Sequence, residues 1–332
     1  MNLVTAPHEK DGHDVTVRRG QFWIPGERIG TEHGTVQRAP MFVQWEAPAG
    51  APAHPVPLVL IHGGGGQGTD WTGTPDGRPG WATRFVEAGF AVYVVDRCGH
   101  GRSPYHPDVV GPMGPPFPYE AARALFLPDE ARSDQTQWTF GRELGSEHVD
   151  QLVSPMGPLP ADLAESQRLD ADRLAALLDL LGEAVLVTHS AGGPVGWLTA
   201  NARPGRVAGI AAIEPIGPAF AEFPGLGTLT WGLTSAEISC DPPAERPEDV
   251  PGRSIPGLDG TPVTVVTGGA SAFAGFAPQV VDFLTGAGAG ASLLHLPDVG
   301  VTGNGHGLIF EANSDETVKP VIDWILATTA RS

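Results

Sequence analysis

Short apolar runs alternating with helix-like stretches constrain this chain more than any other feature. The runs occupy residues 57–62, 91–96, 184–189, 209–213, 263–267 and 292–296, each bounded by Gly, Pro, Asp or His. A strand with one wet face would alternate polar and apolar residues. Near-continuous runs such as Leu58-Val59-Leu60-Ile61 read instead as strands covered on both faces, as in a parallel sheet. Between them, residues 81–87, 169–181, 193–202, 277–284 and 317–327 carry apolar side chains at three- and four-residue steps. Strand and helix in alternation predict a doubly wound α/β architecture. Upstream, residues 15–17, 21–24 and 35–44 read as antiparallel edge strands. Two stretches break the alternation, at about 104–163 and 216–260. Loops of that length rarely stay unstructured in a compact domain, so they are expected to form a cap over the active end of a single domain spanning 1–332.

Composition narrows the function. Thirty-eight acidic residues against 20 Lys and Arg give a net charge of −18, and the only lysines are Lys10 and Lys319. Phosphate contacts need clustered cations, so a nucleic-acid partner is excluded. No apolar stretch is long enough for a membrane span. Residues 1–14 are polar and lack the apolar segment of a signal peptide, and the two cysteines, Cys98 and Cys240, cannot build a disulfide framework. The expectation is a cytoplasmic protein. A homodimer is admitted by the sequence but not demanded. The 45 glycines and 33 prolines would suit disorder, but 41% hydrophobic residues argue for a large core.

The chemistry concentrates in three turns. The run 184–189 leads directly into Ser190-Ala191-Gly192-Gly193 and then a helix. Small residues two before and two after a serine allow the sharp strand–turn–helix elbow that lifts its hydroxyl clear of the sheet. Thr188 stands where the common pattern has Gly. The first central run ends in His62-Gly63-Gly64-Gly65-Gly66, a turn whose backbone can approach a substrate closely and stabilise a developing oxyanion. A phosphate loop would need Gly-Lys-Ser/Thr, which is absent.

A serine hydroxyl needs a base and an orienting acid. His306, in Thr302-Gly303-Asn304-Gly305-His306-Gly307, lies between the last run and the last helix. His295 sits inside a run and is expected to pack; His62 and His189 read as structural flanks. His100 and His106 lack metal-ligand spacing, and neither metal nor cofactor is expected. No acid follows the run 263–267. Glu214 ends the run before it, where catalytic groups gather in open α/β sheets; Asp282 and Asp298 are the fallback carboxylates. Asp96 reads as a turn-stabilising residue.

With these motifs in the order Ser, acid, His, the chain resembles the α/β-hydrolase superfamily. More narrowly it resembles bacterial esterases whose acid is a Glu after the sixth strand. The resemblance rests on residues 74–81, 96–103, 187–190, 213–215 and 300–306. It implies an α/β-hydrolase fold, with Ser190 as nucleophile, Glu214 as acid, His306 as base, and the Gly64 and Ala191 N–H groups as oxyanion donors. The best-known member of that group has two adjacent cysteines where Gly64 and Gly65 stand here. The expected activity is hydrolysis of a small carboxylic ester. A lactonase is the alternative, since zearalenone lactone hydrolases also use a Glu there. Amide or carbon–carbon hydrolysis and a non-catalytic binder rank below.

Overall fold

A computed structural model describes residues 15–223 and 227–330; the polar stretch 1–14 lies outside the described residues. An eight-stranded sheet forms the centre. Its strands are β1 (Val17–Ile24), β2 (Met41–Pro48), β3 (Leu58–Ile61), β4 (Val92–Asp96), β5 (Ala184–His189), β6 (Val207–Ile213), β7 (Pro262–Thr267) and β8 (Gly290–His295), in the spatial order β1-β2-β4-β3-β5-β6-β7-β8. From β4 to β8 every pairing is parallel; β1 and β2 are antiparallel additions at one edge. Helices α1 (Trp81–Glu87), α2 (Leu163–Leu181), α3 (Gly193–Ala202), α4 (Ala277–Gly286) and α5 (Ser314–Thr329) cover the two faces.

The unbroken apolar runs have a direct physical cause. Successive side chains of a strand point to opposite faces. Val59 and Ile61 enter one core with Leu186, Ile210 and Val265 under α2, α3 and α4. Their neighbours Leu58 and Leu60 enter the other core with Val94, Val187, Ile213 and Val266 under α1 and α5. β8 departs from this reading. It is the edge strand, and Leu293 is 40% exposed there, because one side has no neighbour to complete the cover. Helix α2 begins at Leu163, earlier than the periodicity from 169 indicates, because the Asp162 carboxylate accepts the Glu165 N–H (2.9 Å) and caps it. The expected edge segments are also redistributed. Residues 17–24 form one strand. The stretch 35–44 is broken at Ala39, whose φ of 46° turns the chain, so that Gly34–Arg38 pairs with Glu27–Thr31 in a separate hairpin and only the remainder joins the sheet.

The two insertions have different fates. The first carries the short helices Pro107–Val110, Tyr119–Phe126 and Glu147–Val153, and buries Ala122, Phe126, Trp138, Val149 and Leu152 with the α1 and α5 core. In the second, Leu233, Ile238, Val250, Ile255 and Leu258 are buried with α2, α3 and α4. The Ser235 N–H donates to Gln167 of α2 at 2.7 Å. The apolar side chains of residues 233–258 thus pack into the core beside those helices.

Candidate active site

β5 delivers Ser190 to the carboxyl edge of the sheet. Its φ is 51°, the left-handed strain expected of a tight elbow. A Cβ on Gly192 would lie 2.8 Å from the His62 carbonyl oxygen and 2.9 Å from that of Ile61, both rigid backbone, so no larger residue fits. Thr188, the departure from the common elbow, is accommodated by Gly196 one helical turn on: a Cβ there would stand 3.0 Å from Thr188 Cγ2. The methyl group thus occupies space that a glycine of α3 leaves free.

Three elements converge on the serine. His306 Nε2 stands 3.1 Å from Ser190 Oγ, and His306 Nδ1 stands 3.3 Å from Glu214 Oε2. Glu214 is fully buried immediately after β6, with φ 49°. Its Oε1 accepts the Gly268 N–H at 2.6 Å, and its Oε2 accepts the Ser271 hydroxyl. Ser271 and Gly268 follow β7, where the sequence has no acid; they supply donors to the carboxylate instead. Burial pushes the Glu214 carboxyl up and the His306 imidazole down, while the Ser271 and Gly268 donors favour the carboxylate. Asp282 and Asp298 are exposed and His295 bonds Thr267 at 3.0 Å, as a packed strand residue would.

The glycine turn after β3 abuts the elbow. A Cβ on Gly63 would lie 3.1 Å from Ser190 Cβ, and one on Gly64 would lie 3.3 Å from Ala191 Cβ. This turn is held from behind. His62 Nε2 accepts the Arg97 N–H (2.9 Å), which leaves its Nδ1–H to donate to the Gly63 carbonyl (2.9 Å). Arg97 Nη1 reaches the same oxygen at 3.4 Å. In a planar trans peptide the C=O and N–H point opposite ways. Fixing the Gly63 carbonyl therefore fixes the direction of the Gly64 N–H. Arg97 is locked by Asp170 of α2 (2.8 Å), both side chains fully buried. Asp96 also braces the turn, accepting the Gly68 N–H at 2.6 Å besides the Arg102 N–H at 2.6 Å.

His189, read as a flank, is more than that. Its Nε2 donates to the His306 carbonyl at 3.1 Å, and burial lowers its pKa to about 3, so it stays neutral with that proton in place. Phe126 of the first insertion and Phe273 stand 5.2 and 4.3 Å, ring centre to ring centre, from the His306 imidazole. Nothing in the local sequence gives Arg97, Asp170, Ser271, Phe126 or Phe273 these particular contacts. Their partners are distant along the chain, and no local spacing marks such pairs.

The family model of the alpha/beta hydrolase fold matches residues 56–230. The chain is 30% identical over 353 residues to "Probable secreted lipase phiG" of a fungal species (strain ATCC 74256), with 98% of this chain and 94% of that protein covered. Among solved structures it is similar to a novel bacterial esterase, at 26% identity and a TM-score of 0.72, with 97% and 99% of the two chains covered. The fungal relative, a probable secreted lipase, overturns the expectation of a cytoplasmic protein. Cys98 and Cys240 are both free thiols and both buried.

Proposed function

The chain belongs to the α/β-hydrolase fold family and is a hydrolase of the esterase/lipase type, and from that premise we propose that it cleaves carboxylic esters through a Ser190–His306–Glu214 triad. The observation that carries this reading is the unbroken hydrogen-bonded line from Ser190 Oγ through both imidazole nitrogens to Glu214. His306, kept neutral by burial, takes the Ser190 proton as Oγ attacks the ester carbonyl. The N–H groups of Gly64 and Ala191 receive the charge that builds on the carbonyl oxygen. His306 then protonates the departing alcohol, and a water molecule, activated by the same imidazole, releases the acyl group from Ser190. Glu214 orients the imidazole and stabilises its cation. Phe126 and Phe273 beside the base favour an apolar ester, because they give the site aromatic walls and no charged group.

The expected result for Ser190→Ala is loss of p-nitrophenyl acetate turnover with an unchanged melting curve. A fluorophosphonate should form an adduct on Ser190 in the unaltered protein. Turnover that survives the substitution, or an adduct elsewhere, refutes the triad. A panel of open-chain esters and lactones of graded size, run on the same preparation, separates esterase from lactonase activity.

A further inference from the structure

Glu311 is a fully buried carboxylate that the triad does not use. It lies between the loop that carries His306 and helix α5. Both of its oxygens accept the Gly305 N–H, at 3.0 and 3.2 Å, on the residue next to His306. Oε2 also accepts from Asn304 Nδ2 at 2.7 Å. Oε1 accepts from Gln135 Nε2 at 2.7 Å, and Gln135 belongs to the first insertion. The second N–H of that amide goes to the Phe126 carbonyl at 2.7 Å, so one buried side chain holds Glu311 and the backbone of the residue whose ring stands beside His306.

The neighbouring backbone repeats the connection. The Gln137 N–H donates to the Gly303 carbonyl and the Ala312 N–H donates to the Gln137 carbonyl, each at 3.0 Å. Residues 135–137 therefore lie along the base loop on both sides of Glu311. A Cβ on Gly305 would meet Gln135 Nε2 at 2.5 Å and one on Gly303 would meet Thr136 Oγ1 at 2.0 Å, so the loop and the insertion are in direct contact there.

We propose that Glu311 is a positioning residue for His306 and that, through Gln135, it couples the alignment of the base to the seating of the first insertion. The proposal rests on the reading of His306 as the base. Glu311 touches neither Ser190 nor the imidazole; it acts on the main chain that aims the imidazole. An insertion that lifts away takes Gln135 with it and leaves a buried carboxylate short of a donor, which loosens the loop at Gly305. A seated insertion restores both. The base is then aligned only when Phe126 and its neighbours close on the site.

Glu311→Gln keeps the shape but must turn an N–H towards groups that are all donors. For the folded variant the expected fall in kcat on p-nitrophenyl esters is about a hundredfold, the scale of an ångström-sized misplacement, with KM within about threefold. The fluorophosphonate labelling rate should fall in step, since it needs the same base. Gln135→Ala, which leaves the base loop's own residues intact, should lower kcat about tenfold, the loss of one to two hydrogen bonds. It also decides the matter if Glu311→Gln does not fold. Wild-type kcat in Gln135→Ala, or in folded Glu311→Gln, overturns the proposal, as does a rise in KM at constant kcat. Failure of the underlying reading looks different: the unaltered protein would then not be labelled at Ser190.

Discussion

Glu214→Gln is the sharpest test of the proposed triad, because the surroundings dictate which way the new amide faces. The Gly268 N–H, 2.6 Å from Oε1, demands an acceptor, so the amide oxygen takes that place. The NH₂ group then falls at the Oε2 position, 3.3 Å from His306 Nδ1. Ser271 can turn its hydroxyl to accept from it. The imidazole cannot adapt without cost: Nδ1 must become an acceptor, which moves the ring proton to Nε2. That proton then faces Ser190 Oγ, and the base can no longer take the serine proton. A wrong tautomer of this kind lowers kcat by about 10⁴ in triad enzymes, equivalent to about 5 kcal/mol of transition-state stabilisation. The variant is nearly isosteric, so its fold should be retained. The assay is kcat/KM on p-nitrophenyl acetate together with thermal melting. A folded variant within about tenfold of wild type refutes the reasoning and assigns the orienting role to another group.

Two further predictions concern the groups behind the oxyanion turn. Asp170→Asn leaves the Arg97 guanidinium fully buried without a counter-charge; urea unfolding should show a loss of about 3–5 kcal/mol, and a loss under about 1 kcal/mol would mean that the pair contributes little. Asp70 lies against Gly66, and burial raises its pKa from 3.8 to about 7. The folded state therefore binds a proton that the unfolded state has released between about pH 4 and pH 7, so this group's contribution to stability falls as pH rises through that window. Asp70→Asn should raise the melting temperature relative to wild type at pH 8 and lose that advantage at pH 4; an equal difference at both pH values would sink the assignment.

Much of the fold was legible because burial on both faces leaves an unmistakable trace in a strand, as in Leu58–Ile61 and Ala184–His189. The candidate site was legible where its chemistry is local. Ser190 needs small neighbours within its own turn, His306 needs a glycine-rich loop, and Glu214 stands at a strand end where an exposed turn residue would otherwise be expected. Local sequence is silent where a side chain's environment comes from outside its own segment. β8 carries apolar residues like a central strand yet lies at the edge. Residues 233–258 are rich in proline, and which helices their apolar side chains pack against is set by α2 and α3, far away in the chain.

The succession of strands and helices along the chain, the elbow and the proposed chemical roles were written in local patterns, because side-chain periodicity and turn sterics act over a few residues. Alignment was not. Arg97 meets Asp170, Gln135 meets Glu311, and Ser271 meets Glu214 across 57 to 176 residues of chain. Each contact is a hydrogen bond whose partner is chosen by how β-strands and insertions stack in space. Such bonds depend on distance and direction in three dimensions, so only the folded chain could select them.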